Sequence, residues 1–170
     1  AAAAAAAAAT TVAGPAAGRP TTSQPPTSRP RHWLLHWRGQ VFFAQPQPNY
    51  SFGIRQQALA LFGGREGERI LVSADHSPDN TAEMRNATYC AVFPGNGWGH
   101  VELPVILGCI PVVVMDSILV PWENVLHFEQ FGLRIPRSQL PRLVEILREI
   151  PPDRVQRMQV ALSRVWERFT

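Results

Sequence analysis

Residues 88–116, TYCAVFPGNGWGHVELPVILGCIPVVVMD, restrict the possible folds more than any other stretch of the chain. Two apolar runs within it, 89–93 and 110–115, show no alternation with polar residues, so each reads as a strand covered on both faces. Such strands belong to parallel sheets, and a parallel pair requires a crossover, here a helix beginning around residues 98–101. Gly95, Gly97 and Gly99 lie between the first strand and that helix. Their missing side chains let the backbone approach a ligand, and a helix N-terminus behind them presents unpaired N–H groups to an anion such as phosphate. The same G-x-G-x-G spacing serves equally well as a tight turn without a ligand, because it is not the complete dinucleotide fingerprint.

The remaining segments alternate in the same way. The run 32–37 reads as a first strand, and Ser51 is placed to cap a helix running to Phe62, where Gly63-Gly64 stops it. Residues 69–74 read as another buried strand, 81–86 as a short helix and 132–135 as a last short strand. Two helices close the chain. Leu140, Leu143, Val144, Leu147 and Ile150 mark one apolar stripe, and Val155, Met158, Leu162, Val165 and Phe169 the other. The fold class expected is therefore α/β, a Rossmann-like parallel sheet with flanking helices. Residues 1–31, dominated by Ala, Thr, Pro and Gly, are expected to form a disordered low-complexity segment, and 32–170 to form one domain. At 170 residues there is room for one ordinary domain and not for a two-domain enzyme.

Charge and residue usage exclude several functions. The net charge of +3 is accounted for by Arg19, Arg29 and Arg31, so the globular part is neutral and offers no electrostatic footprint for nucleic acid. Neither an Asp-x-Asp pair nor a G-x-S-x-G elbow occurs, and no cofactor or metal is expected. His32 and His36 lack the glutamate of a zinc helix and read as packing or solvent residues. Cys90 and Cys109 are expected to be buried small apolar residues rather than a bridge. No segment reads as a membrane span, since the best candidate, 103–120, contains Pro104, Pro111 and Asp116. Nor does the N-terminal alanine run resemble a cleavable signal. Arg55 falls in the first turn of its helix, where the dipole disfavours a cation, which points to a ligand or carboxylate partner. Asp116, following a strand, either accepts ligand hydroxyls or caps the loop. Trp122 and Phe128 are expected to pack rather than stack on a ligand.

Several blocks together carry a resemblance. Asn49-Tyr50-Ser51-Phe52-Gly53-Ile54-Arg55, Pro94-Gly95, Gly108-Cys109-Ile110-Pro111-Val112, Asp116 and Pro121-Trp122-Glu123 follow the order of Y-S-x-G-x-R, P-x-G, G-C-I-P-V, Asp and P-F-E. In this respect residues 33–169 resemble the donor-binding, C-terminal half of exostosin-type glycosyltransferases, which are inverting sugar transferases of GT-B architecture. The resemblance implies a nucleoside-diphosphate sugar as donor, a glycan as acceptor and a Golgi location. It also implies a donor site formed by Arg55, Gly95, Gly97, Gly99, His100, Glu102 and Asp116. His100 stands where the family pattern has a phosphate-binding Arg, and Glu102 lies one position from the expected acidic residue of the helix. No catalytic residue is assigned, because the acceptor side and the base are expected on the other half of such an enzyme. The alternative is a non-catalytic glycan- or nucleotide-binding relic.

Overall fold

The computed structural model describes residues 30–42, 50–95 and 100–170. Gly97, Gly99, Asn49 and nearly all of the 1–31 segment lie outside the described residues. Arg31 is buried, and its guanidinium donates to the carbonyls of Arg85 (3.0 Å) and Ala87 (2.8 Å), so the packed part of the chain includes it.

Five strands form one sheet: β1 (Trp33–Arg38), β2 (Ile70–Ser73), β3 (Ala87–Val92), β4 (Ile110–Val113) and β5 (Leu133–Arg134). Their order is β2-β1-β3-β4-β5 and every pairing is parallel. The expected Rossmann-like α/β class is what the chain adopts. Register is set by the buried positions: Leu35 pairs with Ile70 on one side and Tyr89 on the other, and Tyr89 pairs with Ile110. All four residues of β4 are buried, as an apolar strand covered on both faces requires.

Helices α1 (Ile54–Phe62), α2 (Asn80–Arg85) and α3 (Glu102–Ile106) lie in the strand connections, and α4 (Leu143–Glu149) and α5 (Pro152–Val165) follow the sheet. Ile54, Ala58 and Phe62 from α1 join Leu140, Leu143, Val144, Leu147, Met158 and Leu162 in the main core. The stripes at helical spacing are therefore core faces. Pro152 opens α5, where a missing N–H costs nothing. Among the described residues no helix is long and apolar enough to cross a membrane.

Four details differ from the sequence expectations. Cys90 and Cys109 are bridged, with Cα atoms 5.8 Å apart. Parallel pairing of β3 with β4 brings the residue in β3 beside the one preceding β4, a proximity that spacing along the chain does not reveal. Trp122 is 45 % exposed instead of packed, whereas Phe128 is buried. The crossover helix α3 begins at Glu102 and has five residues, too few to gather a substantial dipole. Finally, Ser51 is not the residue immediately before α1. Gly53 is, and the Ser51 hydroxyl instead accepts the Arg55 N–H (3.2 Å) from within a 3-10 turn, Tyr50–Gly53.

Candidate functional site

In a sheet of this order the chain leaves β1 toward β2 and later returns to the other side of β1 with β3. The crevice at the carboxyl ends of β1 and β3, where the order reverses, is where open α/β sheets receive ligands. Arg55 lies there. It is 2 % exposed, and its guanidinium is held by Gln40 O (Nη1, 3.1 Å) and His100 Nε2 (Nη2, 3.3 Å). The Trp37 and Tyr50 rings contact it, with Cζ 5.6 Å and 4.9 Å from their centroids. Burial lowers the Arg55 pKa from its ordinary value, with Tyr50 acting in the opposite direction. Arginine nevertheless stays protonated, so a cation is buried here. Among the described residues it has no carboxylate partner, and its Nε has no hydrogen bond at all. The carboxylate alternative raised by its place in the helix is not realised.

His100 is exposed as a residue, but its ring tip turns inward onto Arg55. An arginine can only donate, so Nε2 accepts and the imidazole is neutral. Burial of the ring, and then the Arg55 charge, lower its pKa. Gly95 is the third member of the cluster. A Cβ on it would overlap Arg55 Nη2 and stand 2.8 Å from His100 Nε2, so only glycine lets these three approach.

Beside the cluster is a cavity of about 310 Å³, walled by Phe52, Val92, Phe93, Pro94, Met115, Ile118, Val120 and Pro121, with Gly95 and His100 at its polar edge. An apolar chamber with a polar edge, behind which Arg55 is buried against Gly95 and His100, suits a ligand having an apolar ring and an anionic group.

The rim loop is pinned by a clamp that the sequence reading missed. Arg134 donates to both Glu123 oxygens (2.8 and 2.5 Å) and to the carbonyls of Met115 and Ile118 (2.5 and 2.8 Å). Glu123 in turn accepts the Val120 N–H at 2.8 Å. Burial opposes ionisation of Glu123, but Arg134 and that N–H outweigh it and its pKa is lowered. The P-W-E segment was visible in the sequence; its partner eleven residues later was not.

The other expected site residues are less central. One Asp116 oxygen accepts the Arg137 N–H (3.0 Å), and the residue stays exposed at the ends of the strands. Glu102 opens α3, half-buried and away from the cavity wall. His32 and His36 do not meet: His32 is exposed, whereas His36 is fully buried with Nε2 3.2 Å from Glu83. Arg38 also grips Glu83 at 2.6 and 3.0 Å, and the Arg38 bond, chiefly, holds the Glu83 pKa down at about 2. Among the described residues no three His, Cys, Asp or Glu side chains converge as a metal site.

Known proteins are similar to this chain in sequence. Residues 7–150 match the family described as the Exostosin GT47 domain. A probable glucuronosyltransferase of Oryza sativa subsp. japonica is 25 % identical over 143 residues, 81 % of this chain and 34 % of the relative. A probable β-1,4-xylosyltransferase of Arabidopsis thaliana is also 25 % identical over 143 residues, with the same coverages of 81 % and 34 %. Exostosin-2 of Mus musculus is 31 % identical over 88 residues, 51 % of this chain and 12 % of that protein. The chain thus spans about a third of the length of the plant relatives it matches. The match to the family model extends over most of the chain, and a chain with that match belongs to the exostosin GT47 family of glycosyltransferases.

Proposed function

We propose that this domain binds a nucleoside-diphosphate sugar at the carboxyl ends of β1, β3 and β4, as the donor half of an inverting transfer to a glycan acceptor. One observation carries the reading: a buried cation without a carboxylate partner, Arg55, lies at the reversal of strand order beside an apolar cavity. Leaving a charge buried without a counter-ion is costly, and a diphosphate supplies one. In this reading Arg55 and His100 hold the phosphates and Gly95 gives them access, and the family resemblance adds Gly97 and Gly99 to the donor-binding residues. Asp116 and Glu102 belong to the sugar and ribose side. Family membership supports the same assignment, since the named relatives are glucuronosyl- and xylosyltransferases. Residues 32–170 form the donor-binding unit, and the base that activates the acceptor hydroxyl lies outside it. A Golgi location goes with this reading and is supported by the Cys90–Cys109 bridge, which persists in oxidising compartments.

The test is calorimetric titration with a panel of nucleoside diphosphates, repeated on Gly95→Ala. Binding by the wild type that is lost in the variant is expected, because the added methyl displaces Arg55 and His100. If no nucleoside diphosphate binds at any concentration tested, the donor reading fails. A second reading, a relic that retains the fold with weakened binding, is favoured by the neutral state of the His100 ring, which offers an anion less than the guanidinium fork that the family resemblance leads one to expect at this position.

A further inference from the structure

Phe52 occupies the left-handed region (φ 53°, ψ 27°), between Ser51 (φ 56°) and Gly53 (φ 75°). Glycine adopts that conformation freely, whereas a bulky aromatic residue is strained in it. Burial does not compensate: the residue is 60 % exposed, and its ring forms part of the cavity wall. Strain kept by a side chain with little to gain inside the fold indicates work done at a site. The turn that presents Phe52 is also tied to the cation, since Ser51 accepts the Arg55 N–H and the Arg55 guanidinium rests on Tyr50. An exposed flat ring in the turn and a buried positive charge in the first turn of α1 are thereby held three residues apart, with the ring on the cavity wall and the charge against Gly95 and His100 of the same wall.

We propose that Phe52 is the stacking platform for the nucleobase of the donor, and that it sets discrimination between a nucleotide and a bare diphosphate. The inference rests on the donor-binding reading above. A base stacked on Phe52 completes the apolar enclosure formed by Val92, Phe93, Met115, Ile118 and Val120, while its diphosphate lies toward Arg55 and His100. Every base has a π-face, so stacking of this kind holds the nucleotide without by itself choosing the base.

Phe52→Gly tests this with two opposed readouts. Relief of the left-handed strain should leave the melting temperature unchanged or raised, while affinity for uridine diphosphate falls about tenfold, in keeping with the loss of one stacked base. Affinity for inorganic pyrophosphate should not change, and Phe52→Trp should restore nucleotide binding. Equal loss for pyrophosphate and uridine diphosphate would overturn the proposal by showing that the turn merely positions Arg55. Unchanged uridine diphosphate affinity overturns it as well and leaves the donor reading intact. Failure of the wild type to bind uridine diphosphate, or any other nucleoside diphosphate of the panel, removes the donor reading and this inference together.

Discussion

Arg55 Nη2 donates to His100 Nε2 at 3.3 Å, a hydrogen bond that exists only while the imidazole is neutral. Protonation removes the acceptor and sets two cations against each other. An anion between them reverses that preference, so ligand binding and protonation of His100 are coupled through this contact.

Affinity for a nucleoside diphosphate should therefore rise as pH falls. His100 titrates below its ordinary value of about 6.5 in the free protein, and a bound diphosphate moves it upward. Binding takes up a proton between these two values, and the gain levels off below the lower one. Calorimetry in buffers of different ionisation enthalpy measures that uptake, and His100→Gln should abolish it. His100→Arg should tighten binding about tenfold and flatten its pH dependence, while lowering the melting temperature of the free protein through repulsion with Arg55.

Stability should respond to pH in the opposite direction. His36 and His100 both have lowered values in the folded state, chiefly through burial. The unfolded chain binds protons more readily, so the stabilisation is full above about pH 6.5 and is lost as pH falls through the folded values. Glu83, held at about 2 mainly by Arg38, contributes in a separate window: full above about 4.5 and lost toward 2. Urea midpoints between pH 7.5 and 3 should fall in two stages, with His100→Gln diminishing only the first.

Arg55→Met should weaken nucleoside diphosphate binding by at least about a hundredfold, because charge-assisted contacts to phosphate are lost. Its effect on stability should be small, a melting shift within roughly 4 °C, since a buried cation without a carboxylate is itself unfavourable. Parallel titration and thermal scans check both halves. A large stability loss with unchanged affinity would assign Arg55 to the fold alone.

The Cys90–Cys109 bridge joins residues at a sequence separation of 19 and closes a loop that includes Gly95 and His100. Loop-closure entropy assigns it about 3 kcal/mol. The double variant Cys90→Ala/Cys109→Ala should lose roughly that amount in urea unfolding, and added dithiothreitol should then have no further effect on it.

Arg134→Met should release the loop that forms one wall of the cavity. Glu123 loses its bidentate partner and the carbonyls of Met115 and Ile118 lose their donor, a cost of about 2 kcal/mol. Proteolysis should then cut within 116–127, and nucleotide affinity should fall several-fold. Protection equal to that of the wild type would show that the loop holds its shape without the clamp.

The elements themselves were legible because their signals are local. Continuous apolar runs marked β3 and β4, a 3.6-residue period marked the stripes of α4 and α5, and Gly63-Gly64 marked the end of α1. Those patterns follow from which faces must be buried, and burial is demanded residue by residue. The family was legible for a similar reason, since short blocks such as G-C-I-P-V and Y-S-x-G-x-R survive as contiguous text.

Partnerships between elements were decided only by tertiary structure. Sequence spacing placed Arg55 in a helical first turn and Gly95 in a glycine turn, but the strand order β2-β1-β3-β4-β5 brought them together with His100 at one crevice. The Cys90–Cys109 bridge, the Arg134–Glu123 clamp and the His36–Glu83–Arg38 cluster arise likewise from strand pairing and loop return. The left-handed turn that exposes Phe52 could not be anticipated from propensity, which disfavours it. Contacts of Ser51 and Tyr50 with Arg55 and Gln56 brace it. Each of these depends on which segments become neighbours, a property of global packing that no local window of residues contains.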